Sequence, residues 1–266
     1  MKTLIIINGV TGAIGSACLA RFSREHDTTI IGLSRQARDM ADFLNDKHLP
    51  DATFACSIGD ITQKESCERF TKSLDVSRYE QIIYIHAVGI YPIEIDTSGD
   101  VGVSHDTDDD GIDDRVLHLS YDAFFAMSDS LQKTNIPVYA LLFGGVADKF
   151  KPSVHTSWWT VMEKIKHRMK ETSKNSSGIS YFVLNISSVI SSAELLNRPF
   201  VFTKTDAEPA FWLMPHEIAE RVATLVFSKK IGFTEDEIYH RAKYYRNNHF
   251  DEDKFIVRRK KELGIS

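Results

Sequence analysis

The stretch MKTLIIINGVTGAIG, Met1 to Gly15, decides the fold. Leu4 to Ile7 is a run of stiff apolar residues that reads as a buried strand, and it stops at Asn8-Gly9. Glycines recur at Gly9, Gly12 and Gly15, and a helical pattern of Ile14, Leu19 and Phe22 follows. Strand, glycine turn and helix in that order aim free backbone N–H groups and a positive helix end at a pyrophosphate. The glycines alone would specify only a sharp turn. Their context makes the stretch a dinucleotide cradle, lined by Gly9, Thr11, Gly12, Ala13, Ile14 and Gly15.

Composition sets the bounds around that cradle. A chain of 266 residues suits one large α/β domain. Its 42% hydrophobic and 26% charged residues are those of an ordinary globular protein. A net charge of −5 and a pI near 6.1 argue against a nucleic-acid surface, which needs a basic field. The three cysteines, Cys18, Cys56 and Cys67, have no metal-ligand spacing and are odd in number, as expected of reduced thiols. Lys2 and the apolar run after it look like the start of a signal peptide, but Asn8-Gly9 end the run too early. No stretch reaches the ~20 apolar residues of a membrane span, so a cytoplasmic protein without membrane contact is expected.

The second strand, Thr28 to Leu33, ends at Ser34-Arg35. An acidic residue about 20 positions past the glycines would receive the ribose 2′-hydroxyl of NAD. Arg35 stands there instead, with Arg38 a helical turn on, and a guanidinium pairs with a 2′-phosphate. NADP(H) is therefore preferred over NAD(H). Ala52 to Cys56 is the third strand, and Asp60-Ile61 after it suits an adenine edge, although Asp60 or Thr62 equally well caps the helix Lys64 to Ser73. Gln81 to Ile85 is the fourth strand. It closes at His86 and the small residues Ala87, Val88 and Gly89, which let a cofactor lie close to the backbone. His86 is a ligand or acid on one reading and a satisfied packing residue on the other.

The segment from Asp106 to Asp114 carries the start of a calcium loop, with Asp106, Asp108 and Asp110 as ligands and Gly111 for the turn. The closing glutamate is missing: its place falls on Leu117. A solvated acidic loop whose last carboxylates favour the next helix N-terminus is the competing reading. The helix that follows, Arg115 to Lys133, is apolar over a broad face, which points to burial against a neighbour and to an oligomer. Ile136 to Phe143 is the fifth strand, ending at Gly144-Gly145. Ser157 to Thr172 is helical, Ile179 to Ile186 is the sixth strand, and Pro215-His216-Glu217 opens a helix to Phe227. Between them an aromatic stretch with Phe200, Phe202, Phe211 and Trp212 suits a substrate lid or a cover for the core.

These features together resemble the short-chain dehydrogenase/reductase family over residues 1 to 228. The matching residues are Gly9, Gly12, Ile14 and Gly15, Arg35, Asp60-Ile61, Gly89, and the helix start Pro215-His216-Glu217-Ile218-Ala219. The resemblance implies a doubly wound Rossmann-type sheet of about seven parallel strands, a bound NADP(H), and a homo-oligomer, dimer or tetramer. Residues 1–228 form the cofactor-binding domain on this reading, with 229–266 a C-terminal extension packed on it.

The family's chemistry is where the sequence departs. Its members use a serine, a tyrosine acid and a lysine one helical turn later. The corresponding positions here are Gly145, Trp158 and Met162, and the family's supporting asparagine aligns with Ser120. An indole N–H releases no proton at neutral pH and a thioether carries no positive charge. Tyr239 to Lys243 does spell Tyr-x-x-x-Lys, but on the tail and without a serine at the family spacing. Two readings stay open: an atypical NADP-dependent oxidoreductase acting on a small-molecule substrate, with Ser120 or His155 as proton-donor candidates, or an inactive relative that senses NADP(H) or serves as a scaffold.

Overall fold

The structure is a computed structural model. It describes residues 2–34, 53–57, 61–89, 93–95, 101–103, 114–145, 156–187, 189 and 213–238, with backbone alone at 34, 53–57, 93–95, 101–103, 156 and 157. In chain order the elements are β1 (Thr3–Asn8), α1 (Ala13–Phe22), β2 (Thr28–Ser34), β3 (Thr53–Ser57), α2 (Lys64–Ser73) and β4 (Gln81–His86). A small antiparallel pair follows, β5 (Ile93–Ile95) and β6 (Val101–Val103). Helix α3 spans 114–132, β7 is Val138–Gly145, α4 is Thr156–Asn175, β8 is Ile179–Ile186, α5 is Pro215–Phe227 and β9 is Phe233–Ile238.

Seven strands form one sheet in the order β3-β2-β1-β4-β7-β8-β9, and every pairing in it is parallel. The doubly wound sheet of about seven strands that the family resemblance implies is therefore present. Its strands read as unbroken apolar runs because helices cover both faces. Alternate residues of β1 prove the point: Leu4 and Ile6 join one core cluster, Ile5 and Ile7 the other. The first cluster lies under α2, α3 and α4, and the second under α1 and α5. Phe22 of α1 and Phe227 of α5 meet edge to face at 5.6 Å and tie the second layer together.

Most elements fall where sequence periodicity puts them, within a residue or two. Strand β7 instead continues through Gly144 and Gly145, because β8 keeps pairing with it up to Gly145↔Ile186. The pair β5–β6 lies in a stretch where the sequence reading places no strand. Strand β9 is charged (Phe-Thr-Glu-Asp-Glu-Ile) and lies past residue 228, in the segment read from sequence as a tail.

Its charges are explained by the pleat, which sends successive side chains to opposite faces. Glu235 turns toward α4, where its Oε1 lies 2.7 Å from Lys166 Nζ. Asp236 turns toward α5 and pairs with Arg221 at 2.6 Å. Asn185 of β8 adds a hydrogen bond from its Nδ2 to Glu235 Oε1 at 2.8 Å. Burial opposes ionisation of Glu235, but the hydrogen bonds from Lys166 and Asn185 outweigh it and hold its carboxyl below the usual range. A strand with little apolar surface is thus fixed to both layers by ion pairs.

Candidate functional site

Strand order reverses between β1 and β4: the chain runs outward through β2 and β3, then crosses back to pair with β1 on its other side. In open parallel sheets ligands sit in the crevice outside the carboxyl ends of the strands at such a point. The Gly9–Gly15 turn leaves the end of β1, and Ala87 to Gly89 leave the end of β4 beside it. Sequence had proposed both segments as cofactor contacts, and the fold brings them together.

Three glycines shape this cradle in three different ways. Gly9 has φ +76°, and a Cβ there would stand 2.6 Å from the Ala87 carbonyl oxygen. Gly15 approaches the loop from the helix side; a Cβ on it would stand 2.1 Å from the Gly9 carbonyl oxygen. Gly12 is exposed, and a Cβ there would have the Gly9 oxygen at 3.3 Å as its one neighbour within 4 Å. Gly9 and Gly15 close the turn, and Gly12 faces the open side.

Helix α1 begins at Gly12, which supplies no side-chain cap, and its first turn holds no acidic residue. The first N–H groups of a helix have no intrahelical partner, and here they lie beside an open surface. That geometry fits a phosphate: backbone donors, a positive helix end and, among the described residues, one atom within 4 Å of where a Cβ on Gly12 would stand. Gly9, Gly12, Ala13, Ile14 and Gly15, the residues expected from sequence to hold a pyrophosphate, form this turn and the start of α1, with Thr11 exposed beside them.

The described surroundings of Gly89 are apolar. Trp158, on the first turn of α4, is half-buried; its Cη2 and Cζ3 atoms lie 3.7 and 3.8 Å from where a Cβ on Gly89 would stand. Met162, one turn on, is fully buried among core residues. Gly145 ends β7 opposite Ile186. Ser120 is buried on α3, and its Oγ has no hydrogen-bond partner among the described residues. Arg35, Asp60, His155, the acidic loop with Asp106, Asp108 and Asp110, the aromatic stretch with Phe200 to Trp212, and Tyr239 to Lys243 lie outside the described residues. For Ser34 the backbone alone is described, at the end of β2; Ile61, next to the expected adenine edge, is buried.

His86 is the packing histidine of the two alternatives. It is fully buried at the end of β4, and its Nε2–H donates to the Leu119 carbonyl at 2.8 Å. A carbonyl only accepts, so Nδ1 is the unprotonated nitrogen. Nδ1 accepts from the Tyr84 hydroxyl at 2.8 Å and from the Asn8 amide at 3.1 Å. Burial pushes its pKa down to about 4, and the Leu119 hydrogen bond opposes this only in part. With both nitrogens occupied and no exposure, it is no general acid for a substrate. Cys18 is equally inert, since burial pushes its thiol up to about 12. Among the described residues no group of His, Cys, Asp and Glu could hold a metal ion, and no helix is long and apolar enough to cross a membrane.

The fold is that of short-chain dehydrogenases. Among similar solved structures, 4-hydroxyisoleucine dehydrogenase complexed with NADH has a TM-score of 0.69 at 17% identity, over 90% of this chain and 97% of the other. The closed form of serine dehydrogenase complexed with NADP+ gives 0.65 at 12% identity, over 88% and 94%. A short chain dehydrogenase from Salmonella enterica serovar Typhi str. CT18 gives 0.66 at 14% identity, over 89% and 96%. No family model and no curated protein matches the sequence. The chain therefore shares the short-chain dehydrogenase/reductase fold over most of its length, with structural neighbours that were solved holding nicotinamide cofactors.

Proposed function

We propose that this chain binds NADP(H) and is an atypical NADP-dependent oxidoreductase that does not use a tyrosine–lysine acid. The observation that carries it is the glycine turn at Gly9, Gly12 and Gly15, with no side-chain cap on α1 among the described residues, set where strand order reverses. Gly12, Ala13 and Ile14 would hold the pyrophosphate, Ala87 to Gly89 would flank the nicotinamide half, and Arg35 would take the 2′-phosphate. The cofactor, when bound, supplies or accepts a hydride. The chain's part is to hold the ring near the acceptor, within about 3–3.5 Å, and to keep water away. Trp158 supports the second task, since its indole covers Gly89 with apolar surface.

The same residues say which acceptors suit the site. Met162 lies in the core and Trp158 against Gly89, so neither offers a proton to a carbonyl oxygen. Acceptors already activated, such as an imine, a flavin or a conjugated alkene, need no such acid. A fluorescence titration tests the cofactor half: NADPH should bind more tightly than NADH, and Arg35→Ala should remove about 1.5–3 kcal/mol of that preference. Equal affinity for the two cofactors removes the NADP preference.

A second reading, an inactive reductase-fold protein that senses NADP(H), draws on Trp158 and Met162 directly: the acid and cation positions are filled with apolar groups. It expects NADPH binding without turnover across a panel of carbonyls, imines and enones. Steady NADPH oxidation with any of them excludes it.

A further inference from the structure

The register of α3 changes within the helix. An α turn at Asp114–Val116 gives way to a π segment, Leu117–Asp122, and α geometry resumes at Ala123–Gln132. The Ala123 N–H reaches back five residues to the His118 carbonyl. When i→i−4 bonding resumes, the next N–H pairs with Ser120, so the change of register passes over the Leu119 carbonyl. That is the carbonyl His86 Nε2–H occupies at 2.8 Å. The skipped acceptor lies on the half-buried stretch beside Ser120, and a fully buried strand-end histidine is its partner.

The other side of His86 leads to the cradle. Asn8, whose amide reaches Nδ1, immediately precedes Gly9, and its own carbonyl accepts the Ala87 N–H at 2.9 Å. The Ala87 carbonyl oxygen in turn is the atom nearest to where a Cβ on Gly9 would stand, at 2.6 Å. Tyr84 completes the cluster, with its ring stacked on Phe124 of α3 at 5.7 Å. No charged side chain takes part. Asn8, His86 and Leu119 thus connect both cofactor-facing loops to one backbone atom of α3.

We propose that His86 is a positioning residue that couples the cofactor cradle to α3, holding the π segment in register through the Leu119 carbonyl and reporting cradle occupancy to it through Asn8. The coupling rests on the NADP(H) reading above. The hold on Leu119 does not.

Amide hydrogen exchange of residues 117–124 separates the two. Without cofactor, His86→Phe, which keeps a buried ring but loses the N–H, should exchange there about tenfold faster than the wild type. His86→Gln, whose amide can still donate to Leu119, should restore most of the protection. Exchange in His86→Phe equal to wild type overturns the hold; if that variant does not fold, exchange in His86→Gln much faster than wild type does so. With saturating NADPH, the wild-type segment should slow about fivefold or more. Asn8→Ala should still bind NADPH in a fluorescence titration yet lose the slowing. NADPH binding with no change at 117–124, or with equal slowing in Asn8→Ala, overturns the coupling. Failure of the wild type to bind NADPH at all is the failure of the functional reading, and the cofactor-free comparison still decides the hold on Leu119.

Discussion

Gly15→Ala should lower the melting temperature by about 6–12 °C and abolish NADPH binding. The added Cβ would stand 2.1 Å from the Gly9 carbonyl oxygen, 2.8 Å from its carbon and 2.9 Å from Val10 Cα. All three are backbone atoms, so no rotamer change makes room. The loop or the first turn of α1 must move, and overpacking of that kind costs about 3 kcal/mol or more. At 2–4 °C per kcal/mol for a chain of this size, the shift follows. Gly12→Ala is the informative partner. Its backbone, φ −73° and ψ 166°, is one that alanine adopts freely, and its Cβ would meet one oxygen at 3.3 Å. Stability should stay within about 1 kcal/mol, while NADPH affinity drops about tenfold or more, because the methyl occupies the phosphate's approach. Differential scanning calorimetry and a fluorescence titration read the two effects separately. A Gly15→Ala protein that melts like the wild type refutes the packing account. A Gly12→Ala protein with undiminished affinity refutes the cradle.

That contrast shows how much of the site was legible in sequence. A glycine triplet with a strand before it and a helix after it reads as a tight βα turn, and β1, the turn and α1 follow in that order. The triplet does not say which glycine closes the turn and which faces the ligand; that depends on β4, whose Ala87 carbonyl approaches Gly9 from far away in the chain. The five inner strands, β2, β1, β4, β7 and β8, were visible because burial on both faces leaves a plain apolar run, as in Ile5 to Ile7 or Tyr181 to Leu184. Strand β9 was not visible. Its Glu235 and Asp236 read as tail chemistry until Lys166 and Arg221 are seen to meet them from two different helices. The π segment was hidden for a related reason: Leu117 to Asp122 keep an ordinary helical pattern, and the register change is held from outside by a strand residue.

The same reasoning applies to the apolar surroundings of Gly89. Gly145, Trp158 and Met162 stand, on the family resemblance, at the positions of that family's serine, tyrosine and lysine. Met162 is now seen to be part of the core under α4, packed with neighbours that include Val161 and Ile165. A lysine substituted there would bury a charge among apolar groups, which costs several kcal/mol unless a partner comes with it. The buried lysine this helix does carry, Lys166, lies one turn deeper, and Glu235 of β9 and Asn185 of β8 hold it. Helix α4 therefore keeps a cation on its sheet-facing side, but bound to the fold and away from the position a proton donor's partner would need.

Acidification should destabilise the protein well before its carboxylates titrate. His86 has a folded pKa of about 4 against an ordinary value of 6.5, because burial disfavours the imidazolium and Nδ1 already accepts from Tyr84 and Asn8. The unfolded chain therefore binds a proton below pH 6.5 that the folded chain refuses. Stability from neutral His86 is complete above that pH and is lost as pH falls toward the folded value. The loss amounts to about 2 kcal/mol by pH 5 and about 3 kcal/mol by pH 4, at 1.36 kcal/mol per pKa unit. Urea unfolding at fixed steps between pH 7 and pH 4 should show a falling midpoint across this window. His86→Gln, which offers similar hydrogen-bonding groups but cannot be protonated, should flatten the fall between pH 6.5 and 5. If the variant keeps the wild-type slope, the acid sensitivity belongs to other groups and His86 is not held neutral by its surroundings. If the slope goes and the 117–124 amides of His86→Gln stay protected, the acid sensitivity belongs to the imidazole and the hold on Leu119 to its hydrogen bond, two separable properties of one residue.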